Sequence, residues 1–244
     1  MLINDMLQLR RKITAVPAVL FFAALVLLGG TAHAQAYDRT IISGGDSISH
    51  HYSYLFPSFR EAMVKFRDGR SFTYQMNFNT LLCDMQFINT KGDTLTITNG
   101  VDVDSILLDS SYFIFDYRKG YFQIVAVSDA ARLAIYRRST FEPVQKGGMG
   151  EAKQSGGVEM INSVSGRQGT IPLVLNQDIY VVKKTTYLLI YKSGEMENAG
   201  RAAFMKIYDG DKKSFEQYVK ANKINFNEQG DLEKLFNFCT QNKM

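Results

Sequence analysis

The chain has 244 residues, a formal charge of +4, 45% apolar residues, two Cys and no Trp. Two Cys exclude a disulfide-stapled miniprotein and a four-Cys zinc site. A charge this small, spread over a chain this long, gives no footprint for nucleic acid.

The N-terminus reads as a targeting segment. Arg10, Arg11 and Lys12 precede an apolar run from Ala15 to Gly30, and Ala32-His33-Ala34 offers small residues at the two positions that signal peptidase inspects. The run is shorter than the about 20 residues a bilayer span needs. Residues 1–34 are therefore expected to be a cleaved signal peptide, with a cut after Ala36 as the alternative. The mature chain would hold 244 − 34 = 210 residues. Removing Arg10, Arg11, Lys12 and Asp5 lowers the formal charge from +4 to +2. The expected address is exported: periplasmic or extracellular, associated with the envelope, with no transmembrane segment in the mature chain.

Residues 35–58 are polar and Ser/Gly-rich, then aromatic around Pro57, as in a flexible entry segment that docks on the fold near Pro57. From 63 to 98 apolar and polar residues alternate. Val64 and Phe66 lead to Asp68-Gly69, a two-residue hairpin signal. Phe72, Tyr74, Met76 and Phe78 then share one face against Thr73, Gln75 and Asn77. Cys83, Met85 and Phe87 repeat the rhythm, Lys91-Gly92-Asp93 turns the chain, and Leu95 and Ile97 continue. This period predicts an antiparallel meander with a dry face and a wet one. Further strands are predicted over Ser105–Leu108, Tyr112–Tyr117, Tyr121–Val127 and Leu133–Arg138, with turns at Asn99-Gly100 and Lys119-Gly120. The Gly-rich stretch 142–170 has no apolar period and reads as a disordered loop. Ile179–Lys184 and Tyr187–Tyr191 read as a hairpin, and 201–208 as a last strand or a helical turn.

The period then changes to that of a helix. Phe215, Tyr218 and Val219 follow Asp211, a capping residue; Leu232, Leu235, Phe236 and Cys239 form a second stripe, with Asn227 or Asp231 as its cap. The expected fold is α+β: mostly antiparallel β, as a meander sheet or partly closed barrel in one domain over 59–244. A pair of short helices at 211–240 packs on the dry face of the sheet. The stretches "FRDGRSFTYQMNFNTLLCDMQFINTKGDTL" and "FEQYVKANKINFNEQGDLEKLFNFC" resemble a group of exported β-rich proteins of Gram-negative bacteria without an established activity. The resemblance implies export and a β-rich module and carries over no catalytic residue.

Chemistry-bearing patterns are sparse. Gly45-Asp46-Ser47-Ile48 resembles the opening block of the SGNH/GDSL esterases, whose Ser needs a His base supplied from near the C-terminus. After residue 200 there is no His. Asp46, Ser47, His50 and His51 remain an alternative hydrolase site, in which the His lies too near the Ser in sequence for an oriented triad. His50 and His51 would point to opposite faces of a strand and lack a third metal ligand. Asp102, Asp104 and Asp109 with Asn99 lack calcium-loop spacing and read as strand-end acids. Cys83 and Cys239 are a candidate disulfide, allowed by an oxidising compartment, against the alternative that each is an ordinary core residue. Tyr52 and Tyr54 are the candidate exposed aromatics. Arg137-Arg138 and Lys183-Lys184 read as solvated strand or turn cations. No catalytic residue, cofactor or metal is expected. The function read from the sequence is a non-enzymatic binding or assembly module. Its partner would be an envelope protein or a small apolar ligand held in a cavity lined by Phe72, Tyr74, Met76 and Phe87.

Overall fold

Two four-stranded meanders, joined edge to edge, form the sheet. The structure, a computed structural model, describes residues 37–43, 50–144, 163–166, 169–172 and 178–241. The first meander comprises β2 (Arg60–Phe66), β3 (Ser71–Asn79), β4 (Asp84–Ile88) and β5 (Thr94–Thr96). The second comprises β6 (Val103–Leu108), β7 (Ser111–Asp116), β8 (Gly120–Val127) and β9 (Ala131–Pro143). Antiparallel pairing of β2 with β6 joins them. Beyond β9 come β12 (Ile179–Tyr191) and then β1 (Tyr37–Ile42), also antiparallel, and β13 (Met196–Asn198) adds to β12. A separate hairpin pairs β10 (Ser163–Gly166) with β11 (Gly169–Pro172). Helix α1 (His50–Ser53) lies between β1 and β2, and α2 (Arg201–Ile207), α3 (Lys212–Ala221) and α4 (Gln229–Gln241) follow β13.

Local chemistry explains the hairpins. At the β2–β3 turn Gly69 takes φ 89°, and Asp68 Oδ1 accepts from the Arg70 amide at 3.0 Å. At β4–β5, Asn89 Oδ1 accepts from the amides of Lys91 and Asp93, each at 2.9 Å. At β7–β8, Asp116 Oδ1 takes the amides of Arg118 and Lys119. The β3–β4 turn has no Gly or Pro. Asn79 builds it instead, its Oδ1 accepting from the amides of Leu81 and Leu82 at 3.1 and 3.0 Å.

That turn is buried because the sheet curls back on itself. The Ser139 amide in β9 donates to the Thr80 carbonyl at 2.8 Å, and the Thr80 and Ser139 hydroxyls lie 2.9 Å apart. The curl brings one face of β2, β3, β4, β6, β7, β8, β9 and β12 around a first core, with Met76, Phe78, Met85, Ile106, Phe113 and Phe122 among its buried members. The sheet remains open, because β5 ends the path without a further partner strand among the described residues.

The helices do not seal this core. They cover the opposite face of the sheet at the β8–β9–β12 end, where Ala131, Leu133 and Leu189 meet Phe204, Phe215, Leu232, Leu235 and Phe236. Successive residues of one strand thus serve different cores: Leu133 faces the helices and Ala134 the curl, as do Leu189 and Leu188. A strand buried on both faces explains the near-continuous apolar runs "LAIY" and "YLLIY". Asp211 caps α3, accepting from the amides of Lys213 and Ser214 at 2.8 and 3.0 Å. The Tyr218 and Phe238 rings stack at 3.8 Å between α3 and α4.

Other expectations are corrected. The predicted hairpin over 179–191 is one 13-residue strand, since Lys183-Lys184-Thr185-Thr186 supplies no turn residue and pairs in register with Arg138, Arg137 and their neighbours. Of the two alternatives for residues 201–208, the helical one holds, as far as Ile207. The expected loose entry segment contains β1, paired along its length with β12. Of the expected loop 142–170, Glu142 and Pro143 belong to β9 and 163–166 form a strand, while 145–162 lie outside the described residues. Phe72, assigned to the dry face, is 43% exposed.

No disulfide joins Cys83 and Cys239, because each is buried in a different core on opposite faces of the sheet. Burial pushes the Cys239 thiol up from 9.0 to about 12. Above pH 9.0 the unfolded chain would release this proton and the folded chain would hold it, so this thiol's contribution to stability is complete below pH 9.0 and is lost as pH rises toward about 12. We expect native protein to resist iodoacetamide until urea unfolds it, and its urea midpoint to fall through that alkaline window. Alkylation of Cys239 in native protein would contradict the packing of α4.

Candidate functional site

The unclosed end of the curl leaves a cleft of about 580 Å³. Val64 and Phe66 of β2, Tyr74 of β3, Phe87 of β4 and Leu95 of β5 line it, with Thr96–Asn99 along one rim. Pairing places these side chains together. Val64 faces Phe72, Met76 faces Phe87, and Phe87 faces Leu95. Alternation then turns Tyr74, Phe87 and their neighbours toward the same concave face.

The aromatics form a connected row. Ring centroids lie 5.9 Å apart for Phe66 and Phe72, 6.4 Å for Phe72 and Tyr74, and 5.2 Å for Tyr74 and Phe87. Met76 and Val64 are fully buried, while Phe72 and Leu95 stand exposed. The Arg70 guanidinium lies 5.9 Å from the centroids of both Phe66 and Phe72. Arg70 also grips Asp68 through Nε at 2.8 Å and Nη2 at 2.7 Å, which holds the Asp68 carboxyl below its ordinary range. The few polar side-chain groups of the lining residues are hydroxyls and one carboxamide: Tyr74, Thr96, Thr98 and Asn99. Thr96 Oγ1 already accepts from Gln86 Nε2 at 3.0 Å.

Two of the four residues expected to line a cavity, Tyr74 and Phe87, line this cleft. The other two do not: Met76 is fully buried and Phe72 is 43% exposed. Leu95, Ile97 and Phe66 were not anticipated as lining. Their place follows from β5 having no further partner strand among the described residues, which no local pattern signals.

The alternative site does not assemble. Asp46 and Ser47 lie outside the described residues. His50 and His51 open α1, where the His51 ring meets the Tyr52 ring edge-on at 5.4 Å. Among the described residues no group of three His, Cys, Asp or Glu side chains is placed to hold a metal. Asp109 instead pairs with Arg60 at 2.6 Å and Asp104 with Lys65 at 3.9 Å. Tyr52 packs against Ile42, Ile179 and Val181, and the Tyr54 hydroxyl donates to Gln86 Oε1 at 2.6 Å, so both have docking roles. Among the described residues the exposed Phe and Tyr side chains are Phe72, Tyr112 and Tyr117.

No helix among the described residues is long and apolar enough to cross a membrane. No family model, curated protein or solved structure matches the chain.

Proposed function

We propose that the protein is an exported, non-enzymatic binding module of the cell envelope that carries a small apolar ligand in the cleft at the open end of its sheet. One observation carries this reading: a concave, aromatic-lined cavity of about 580 Å³ beside the first core. Its size falls within the about 300–1,000 Å³ usual for small-molecule sites, and its lining combines a large apolar area with a few polar groups, as such sites do. Export rests on the basic n-region, apolar run and Ala-His-Ala pattern of residues 10–34.

The test is binding of an environment-sensitive naphthalene dye, read without background from Trp, which the chain lacks. Wild-type protein is expected to bind it saturably. Leu95→Asp, which sets a charge at the exposed rim, and Phe87→Ala are each expected to weaken binding at least about tenfold, or about 1.4 kcal/mol. Native mass spectrometry of protein taken from the exported fraction is expected to show a co-purifying ligand. Equal dye binding by wild type and Leu95→Asp, with no co-purifying mass, would end this reading.

A further inference from the structure

The apolar cleft lies against an open border of the sheet. Beyond β5 no further strand pairs among the described residues. The Asn89 amide donates to the Asp93 carbonyl at 3.0 Å and the Ile97 amide to the Met85 carbonyl at 3.1 Å, and Phe87 stands opposite Leu95 between them. Bonded residues alternate along an antiparallel ladder. Asp93, Leu95 and Ile97 thus direct their main-chain groups at β4. The N–H and C=O groups of Thr94 and Thr96 turn the other way, along the open border.

Strand edges are usually blunted by charge, Pro or a bulge. The opposite border of this sheet follows that rule. There β1 carries Asp38 and Arg39, the latter paired with Glu142, and β13 carries Glu197, paired with Lys206. β5 reads Thr-Leu-Thr, with neither charge nor Pro, and its Leu95 is exposed. The unguarded edge and the apolar cleft thus share one strand.

We infer that an extended peptide adds to β5 as a further antiparallel strand and sets an apolar side chain in the cleft. This rests on the reading of the cleft as a binding site and names the chemistry of its occupant. On the open side of β5 the bonding positions are Thr94 and Thr96, so a peptide residue opposite Leu95 falls in the unbonded, more closely spaced pair. Its side chain projects on the face shared by Leu95 and Phe87, which is the face of the cleft. The peptide residues opposite Asp93 and Ile97 share that face. The partner is therefore a strand of alternating apolar and polar residues, held by main-chain bonds to Thr94 and Thr96 and selected by the cleft. A compact apolar molecule would fill the cleft and leave this border unused. A second copy pairing through its own β5 would bring only another Leu95, which already stands opposite Phe87.

The probe is a fluorescein-labelled peptide, Lys-Val-Thr-Leu-Thr-Val-Lys, followed by anisotropy. Its Leu is placed to lie beside Leu95 and its Thr residues opposite Thr94 and Thr96. A control peptide is N-methylated at both Thr amides, which removes the donors and keeps every side chain. Wild-type protein is expected to bind the first peptide with a Kd below about 0.1 mM and the control at least about tenfold more weakly. Thr94→Pro removes an outward N–H at a position that gives β4 no main-chain bond. It is expected to weaken peptide binding about tenfold, with naphthalene-dye binding and the urea midpoint unchanged. Leu95→Asp is expected to lose both ligands. Saturable dye binding without peptide binding would overturn this inference and leave the apolar cleft standing, whereas absence of both would end both readings. Equal affinity for the two peptides, equal peptide binding by wild type and Thr94→Pro, or a dimer that Leu95→Asp dissolves and the peptide does not would also overturn it.

Discussion

Gly120→Val is expected to abolish folding. Gly120 opens β8 with φ 90°, a conformation that costs a residue with a Cβ about 1–2 kcal/mol. A Cβ at this position would also stand 2.1 Å from the carbonyl oxygen of Cys83. That oxygen belongs to the buried β3–β4 turn, where Cys83 itself has φ 56° and its Sγ lies 3.6 Å from the Thr80 carbonyl. Neither side has room to yield. The two penalties together are expected to exceed about 4 kcal/mol, a large share of the 5–15 kcal/mol that stabilises a typical domain. Gly69→Ala isolates the conformational part, since φ is 89° there and nothing lies within 4 Å of the added Cβ. Its expected cost is about 1 kcal/mol. Urea unfolding of Gly69→Ala, Gly120→Ala and Gly120→Val gives the comparison. Equal midpoints for the two alanine variants would mean that the β3–β4 turn does not dock on β8.

Asn77→Ala is expected to cost about 3–5 kcal/mol. Its carboxamide is wholly buried and ties the segment after α1 to β3. Nδ2 donates to the Phe56 and Ser58 carbonyls at 2.9 and 3.1 Å, and Oδ1 accepts from the amides of Phe56 and Phe78 at 3.2 and 2.9 Å. Truncation would remove the partners of three main-chain groups of residues 56–58, and each buried group so stranded costs about 1–3 kcal/mol. Asn77→Asp is expected to be worse, because it turns an acceptor toward two carbonyls. Denaturant unfolding checks the magnitude. Limited proteolysis checks the place: the first cuts in the Ala variant are expected within 50–59, and cuts confined to another region would contradict the bracket.

The legible parts of this fold were local. Asp68-Gly69 and Lys91-Gly92-Asp93 announce turns because their conformational needs are met within a few residues. The period-two rhythm placed Met76, Phe78 and Met85 correctly on the dry face. The same rhythm could not say how much of that face a partner would cover. Phe72 shares the parity of Met76 but lies beyond the curl, and stands exposed. Asn77 was placed on the wet face, yet it is buried, and its carboxamide is satisfied by the main chain of Phe56, Ser58 and Phe78. Helix stripes were readable from Phe215 and Leu232 onward. Their destination was not, because it depends on β9 and β12 having a second apolar face, which a short run such as "LLI" leaves undecided between strand and helix. Lys183-Lys184-Thr185-Thr186 interrupts that run in composition without breaking the strand.

The same was true of the site. The aromatic lining was visible as alternation in β3 and β4. The opening itself is a property of topology, since β5 ends the sheet among the described residues, and depends on strand order rather than on any one residue.

The pairing of β1 with β12 also dictates a schedule. Tyr37 meets Lys184 only after nearly the whole unit has been made. Contacts so distant in sequence must overcome the entropy of closing a long loop before they stabilise anything. Each meander can zip by adjacent hairpins, whereas the leading strand has nothing to join until the tail arrives. A nascent molecule therefore travels with its front end extended and unattached, and becomes whole in a late, slow step.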